Sequence, residues 1–366
     1  GWIADNFLGQ KKTVMLGGFL LCIGHTILAF DTEFSFYLGC FFVILGVGGL
    51  KPNISSMVGG LYKQGDKKRD LGFYIFYMGI NIGGFAAPIL CGWVGETYNW
   101  HYGFGLAAIG MFIGQITYFY GQKYLIGVGD FIGKKSHPDN DYINRKLTPI
   151  EKDRIKVLLI SFLLIIVFWG AFEQAGGLMN LYAKQKTDRM LMGVELPASW
   201  FQSLNSFFII TLAVFIGGFW MRWKSKGKEA SSLYKIAIGI LIMGMGFMFM
   251  RFAALDYEVA GKSAMYWLVL AYLFHTIGEL CASPVSLSFI TKLAPVKYAA
   301  SIMGLYWAAT GLGNKIAAGV GGFAETAGEK QVFTGIFIFC LIISLLVILL
   351  LKPLKRLTHG AEDIEK

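Results

Sequence analysis

The chain has 366 residues, of which 55% are hydrophobic, 16% aromatic and only 15% charged, with a mean hydropathy of +0.56. Water-soluble domains carry about a quarter charged residues, so a soluble globular protein is excluded and the bilayer is the solvent to reason with. The formal net charge of +10 suggests nucleic acid, but that partner needs a basic face on a soluble element, and the sequence contains no such domain.

Apolar runs bounded by charges and turn residues predict ten helices, at 13–30, 35–58, 70–94, 103–121, 157–182, 198–220, 233–254, 265–290, 298–322 and 332–351. The runs are continuously apolar and about twenty residues long, whereas barrel strands are about ten and alternate. The expected fold class is an all-α integral membrane protein. With the first loop placed inside, 25 of the 33 lysines and arginines fall in inner loops, six in outer loops and two within the membrane. This asymmetry supports the span count and puts both ends of the chain in the cytoplasm, with a bacterial cytoplasmic membrane as the expected location. The cysteines, Cys22, Cys40, Cys91, Cys281 and Cys340, lie inside apolar runs without C-x-x-C spacing and read as small membrane-core residues. The opening Gly1-Trp2-Ile3-Ala4-Asp5 lacks an initiator methionine and any signal-peptide pattern, and reads as the middle of a loop.

Residues 122–154 are polar and turn-rich, with Lys134-Lys135-Ser136-His137-Pro138-Asp139-Asn140-Asp141 at their centre, and predict a cytoplasmic linker. It separates an N-terminal bundle of four spans, 1–121, from a C-terminal bundle of six spans and a tail, 155–366. Two bundles joined by a long inner loop is a common transporter plan, with a substrate site between halves. Four spans against six is the asymmetry to explain.

The ionisable residues left inside the membrane are Lys51, Glu173, Glu279 and Lys315, with His25 and His275 as additions. Each must face a watered cavity or an opposite charge. One reading is a structural ion pair that locks helices together; the other, favoured by similar depth on both sides of the linker, is a polar cavity. Lys315 lies nearer an outer helix end, where it can snorkel. Helical spacing adds neighbours: Trp169 shares a face with Glu173, and Ser283 with Glu279. Tyr74, Tyr77 and Asn81 form a polar aromatic stripe, Asn205 is an isolated amide, and Tyr306 with Trp307 adds aromatic surface. Carboxylates, a lysine, amides and aromatic walls suit a zwitterion, whose two charged ends each need a counter-charge. Gly46, Gly48 and Gly49 before Lys51-Pro52, and Ser283-Pro284 after Glu279, mark Pro52 and Pro284 as the expected bends.

At these residues the sequence resembles a known family. Gly1 to Thr13 resembles the loop between the second and third helices of the major facilitator superfamily, in the form used by proton-dependent oligopeptide transporters. Gly49-Leu50-Lys51-Pro52-Asn53-Ile54-Ser55, Asp66-Lys67-Lys68-Arg69-Asp70 and Phe76-Tyr77-Met78-Gly79-Ile80-Asn81-Ile82-Gly83 look like its signature. Phe172-Glu173-Gln174-Ala175-Gly176-Gly177, Ser199-Trp200-Phe201-Gln202-Ser203-Leu204-Asn205 and Gly278-Glu279-Leu280-Cys281-Ala282-Ser283-Pro284-Val285 match in order. The resemblance implies that Lys51 and Glu173 take part in peptide binding and proton-linked gating. It implies that Asn81, Asn205 and Glu279 hold the peptide termini and backbone, with Ser283 near the amine end and Trp169 in the pocket wall. The family often has Trp where Tyr306 stands, and arginine where Asn6 stands. It has twelve core helices, the first with a Glu-x-x-Glu-Arg motif tied to proton coupling. The chain therefore reads as ten spans of an expected twelve, beginning after the second helix, which turns four and six into six and six.

The expected function is proton-coupled symport of di- and tripeptides by alternating access, non-enzymatic and without a cofactor, driven by the proton gradient. The expected partners are short peptides, protons and membrane lipid, with no nucleic acid; the sequence specifies no oligomeric state. The alternatives are a transporter of the same fold for nitrate, an amino acid derivative or a drug, a non-transporting receptor, and a membrane enzyme. His275 and Glu279 at i, i+4 are the only hint of a metal, with no H-E-x-x-H and no third ligand at matching depth.

Overall fold

Away from water, a backbone can satisfy its N–H and C=O groups only in helices or closed barrels, and the long apolar runs of this chain become helices. The computed structural model describes residues 3–61, 68–130, 146–295 and 299–361. Lys63 and the Asp66-Lys67 start of one motif, the linker core 131–145, Lys297 and Lys366 lie outside the described residues, as do the side chains of Asp5, Asn6 and Tyr74. The chain divides into two compact units, Gly1–Asn140 and Asp141–Lys366.

In the first unit, α1 (Gly9–Leu28) runs against α2 (Glu33–Gly60), whose start is set by a capping box between Thr32 and Ser35. Their backbones touch: a Cβ on Gly17 would come within 2.6 Å of the Leu50 nitrogen and 2.8 Å of the Gly46 carbonyl oxygen. Such close approach is how membrane helices gain contact where lipid tails offer no hydrophobic driving force. Next come α3 (Lys68–Ala87), a π-helical turn at Pro88–Gly92, the short α4 (Trp93–Thr97) and α5 (Trp100–Gly121). Gln115 on α5 donates to the Met15 carbonyl at 2.8 Å, and Lys11 pairs with Asp130 at 3.0 Å, folding the chain after α5 back onto the start of α1.

The second unit opens with α6 (Pro149–Phe172), started by a Thr148–Glu151 capping box with Pro149 in the first turn, inside the stretch expected as linker. It continues with α7 (Leu178–Lys186), the two-residue strands β1 (Met190–Leu191) and β2 (Val194–Glu195), α8 (Ser203–Ser225) and α9 (Ser232–Ala260). Then follow α10 (Tyr266–Leu293), α11 (Ala299–Ala327), α12 (Glu329–Leu349) and the short α13 (Leu351–Leu357). The core is centred on α9, which packs on both α10 and α12 and buries Ile240, Met243, Phe247 and Met250. Ser344 on α12 donates to the Ala237 carbonyl of α9 at 2.9 Å.

Among the described residues nine helical stretches are long and apolar enough to cross a membrane. The tenth expected span, 298–322, is the 29-residue α11; it is not among the nine, being rich in glycine and alanine and carrying Asn314 and Lys315. Helix continues through both Pro52 and Pro284, the positions of the expected bends; a proline there removes one donor and frees one carbonyl without ending the helix. The expected single span 157–182 instead breaks after Phe172: Glu173–Ala175 is a 3₁₀ turn, and Gly177 leaves helical geometry at φ −102°, ψ −99°. The span expected at 70–94 stays helical and passes through the π-helical turn at Pro88–Gly92.

The α9–α10 crossing generates a stability prediction. A Cβ on Gly278 would lie 2.6 Å from the Gly239 carbonyl oxygen and 2.8 Å from the Met243 nitrogen, whereas nothing lies within 4 Å of one on Gly335. Overpacking costs about 1–3 kcal/mol, so Gly278→Val is expected to lower the thermal midpoint of the purified protein by several degrees, and Gly335→Val to leave it within experimental scatter.

Candidate functional site

The clearest polar arrangement inside the spans joins α8 to α10. Asn205, in the first turn of α8, donates from Nδ2 to Glu279 Oε2 at 2.8 Å and to Thr276 Oγ1 at 3.1 Å. Thr276 passes its own proton to the Tyr272 carbonyl one turn earlier, at 2.8 Å. Glu279 thus has a fixed donor and stands beside the positive end of the α8 dipole. Thr276 was not singled out by sequence, although its place three residues before Glu279 put it on the same face.

Glu173 ends α6, and its carboxylate lies near enough to Glu279 for the two charges to act on each other. The neighbouring Gln174 is 1% exposed and donates to the Ala317 carbonyl of α11 at 2.9 Å, which holds the broken end of α6 in place. Tyr272 reaches the same turn, donating to the Ala175 carbonyl at 3.0 Å. Sequence reasoning passed over Gln174; its signal was adjacency to an intramembrane carboxylate.

Trp169, half-buried one turn before Glu173, meets Phe168 and Phe172 edge-on with ring centroids 5.5 and 5.3 Å apart. Tyr306 is buried, with its hydroxyl beside Trp169 and Ser286, whereas Trp307 is 43% exposed. Ser283 is half-buried one turn beyond Glu279, its carbonyl accepting from Ser286 Oγ at 2.8 Å. The second unit therefore gathers Trp169, Glu173, Asn205, Glu279 and Tyr306 into one connected patch, with Ser283 at its edge. His275 points away into apolar surroundings, its ring 4.6 Å from Phe247 and 6.4 Å from Phe172. No group of three metal-ligating side chains occurs among the described residues.

In the first unit, Lys51 is exposed on the second half of α2, within the motif whose Asn53 is buried and donates to the Gly49 carbonyl at 2.8 Å. On α3, Asn81 is 5% exposed and spends one amide proton on the Tyr77 carbonyl at 2.9 Å, while the Tyr77 ring is 39% exposed. Lys315, on α11 of the second unit, is exposed.

Comparison with known proteins gives this geometry a family. Residues 11–137 and 143–336 match the POT family. The peptide transporter YePEPT of Yersinia enterocolitica is 36% identical, the alignment covering 99% of this chain and 84% of that protein. A di-/tripeptide transporter of Lactococcus lactis is 30% identical, covering 98% and 83%. Among solved structures, a peptide transporter POT in complex with sulfate superposes with a TM-score of 0.88 at 31% identity, over 98% of this chain and 83% of that one. A POT family transporter in complex with 5-aminolevulinic acid gives a TM-score of 0.86 at 28% identity, over 96% and 84%. With the apolar helices described above, these findings make the chain an all-α, multi-pass membrane protein that belongs to the POT family.

Proposed function

We propose that this protein is a secondary transporter, not an enzyme, that moves di- and tripeptides into the cell with protons by alternating access. The observation that carries the reading is the Asn205–Glu279 bond with Glu173 beside it, a donor-supported acidic patch on helices that otherwise present apolar surface. Carboxylates at that depth demand a cavity or a cation, and the ammonium end of a peptide is such a cation. Glu279 receives the amine and Asn205 the adjoining backbone, with Ser283 near the amine end. Lys51 on the first unit receives the peptide carboxylate, assisted by Asn81 and Tyr77. Trp169 and Tyr306 supply apolar wall for the side chains. Glu173 exchanges the coupling proton, and Lys51 shares in gating. No cofactor is invoked; the proton gradient supplies the energy.

The lysine and arginine asymmetry between loops supports cytoplasmic ends and residence in a cytoplasmic membrane. A second reading rests on the relative solved with 5-aminolevulinic acid, a zwitterion that is not a peptide. An amino acid derivative would use the same two charged ends.

Three measurements test these assignments. In proteoliposomes, Glu173→Gln is expected to abolish uptake driven by a proton gradient while sparing exchange of external for internal peptide; unchanged gradient-driven uptake would remove Glu173 from coupling. Competition separates the substrate readings: unlabelled di- and tripeptides should suppress uptake of labelled dipeptide, with 5-aminolevulinic acid a weaker competitor, and the reverse order favours the second reading. The Asn205–Glu279 bond is tested by a double-mutant cycle. Asn205→Leu leaves a desolvated acceptor and should cost about 1–3 kcal/mol of stability, much of which Glu279→Leu in the same background should restore.

A further inference from the structure

Two helix ends of the first unit meet at a histidine. α5 is capped by Asn99, whose side chain accepts from the His101 backbone N–H at 2.8 Å, so His101 stands in the opening turn of that helix. Its ring reaches the end of α1. Nδ1 lies 3.0 Å from the Leu28 carbonyl oxygen, and Nε2 lies 3.0 Å from Asp31 Oδ1 in the turn before α2. A helix leaves its last carbonyls without intrahelical donors. Here Ala29 and Phe30 turn their amides back to Thr26 and Ile27, Thr32 turns its amide to Phe30, and His101 serves Leu28.

These two partners decide which form of the ring fits. A carbonyl oxygen only accepts, and so does an ionised carboxylate, whereas a neutral imidazole has one donor nitrogen and one acceptor nitrogen. Either neutral tautomer therefore sets a lone pair against an acceptor oxygen 3.0 Å away, at Asp31 or at Leu28. The imidazolium donates from both nitrogens and completes both bonds. The helix dipoles divide, since a cation is favoured at the C-terminal end of α1 and disfavoured at the N-terminal end of α5; Asp31 adds the full opposite charge. The ring is 24% exposed and the Asp31 side chain 82%, so protons reach the pair from solvent.

Other titratable groups stand on the elements around this end of α5: His25 on α1, Glu33 at the start of α2, Cys91 in the π-helical turn, Glu96 and Tyr98 at α4, and Tyr102 on α5 itself. Among the described residues Asp31 alone is ion-paired with His101. The other described histidines differ from it. His359 meets Asp153 through Nε2 at 3.0 Å, a single bond that a neutral ring makes as well. Neither nitrogen of His275, nor Nδ1 of His25, has a hydrogen-bond partner among the described residues.

We propose that His101 is a proton-closed clamp: as the imidazolium it ties the end of α1 and the turn before α2 to the start of α5, and as the neutral ring it lets one of them go. Histidine changes charge between about pH 5 and 8, so the clamp is complete in acid and loses one bond as the pH rises through that range. It lies wholly within the first unit and depends on neither the transported substrate nor Glu173.

Hydrogen exchange of the purified protein, read by mass spectrometry over residues 27–36 at about pH 5.5 and 8 and corrected for the intrinsic pH dependence of amide exchange, tests the clamp. The corrected exchange is expected to be about fivefold faster at the higher pH, the factor for an ion pair of about 1 kcal/mol. His101→Gln and Asp31→Asn should each remove that difference. Asp31 lies in an exposed turn, so its variant tests the clamp without touching the core. His101→Arg, charged at both pH values, should exchange slowly at both and show that the site is folded, while His359→Gln should keep the wild-type difference. A difference that persists in either His101→Gln or Asp31→Asn, or equal wild-type exchange at the two pH values, overturns the proposal.

Discussion

The structure turns on a carboxylate kept inside a helix that has no other acidic group. Glu279 sits in the middle of α10, whose one further formal charge is Lys292 in the last turn. A carboxylate in that position is tolerated only with a donor or water at hand, and the surrounding chain supplies the donor. Asn205 reaches it from α8, Thr276 orients Asn205, and the close α9–α10 crossing holds the far side of α10 without adding a polar group. One face of α10 can therefore be polar while the other packs as tightly as any membrane helix.

Much of this was legible in the sequence, for a plain reason. In a bilayer, charge and apolarity separate so sharply that span positions, the sidedness of lysines and the short set Lys51, Glu173, Glu279 can be read by elimination. What escaped were features that depend on how backbone groups find partners. Bends are expected at Pro52 and Pro284, which lie inside continuous helix, whereas the break that ends α6 at Phe172 has no proline and lies just before a glycine pair. Thr276 and Gln174 carry no charge and sit beside carboxylates that drew attention first; their roles appear only when Asn205 and the Ala317 carbonyl are seen as their partners. The exchange of residues at Tyr306-Trp307 also needed coordinates: Tyr306 is buried beside Trp169, and Trp307 is exposed.

The charges of the chain separate into classes that composition alone merges. Most lysines mark the loops and set topology. Lys186 with Glu329, part-buried, and Lys330 with Glu258, more exposed, are pairs between helix ends, at 2.8 and 2.6 Å, and pairs as exposed as the second add little stability. A third class gathers at the α8–α9 junction, where lysines distant in sequence share one cavity.

The break at Glu173 ties the backbone argument to the side-chain one. A helix end leaves carbonyls without intrahelical donors, and at membrane depth irregular backbone is tolerated only where protein covers it or where it lines a watered cavity. Here Tyr272 covers the Ala175 carbonyl, and Gln174 clamps the turn to α11. Glu173 and the following glycines remain on the less covered side of the turn, with Glu173 half-buried and Gly176 and Gly177 exposed. The same few residues thus require polar surroundings twice, once for the carboxylate and once for the backbone. That requirement is met by an opposite charge, a protein donor or a watered cavity beside Glu173, and it holds whether or not any relative of the chain is known.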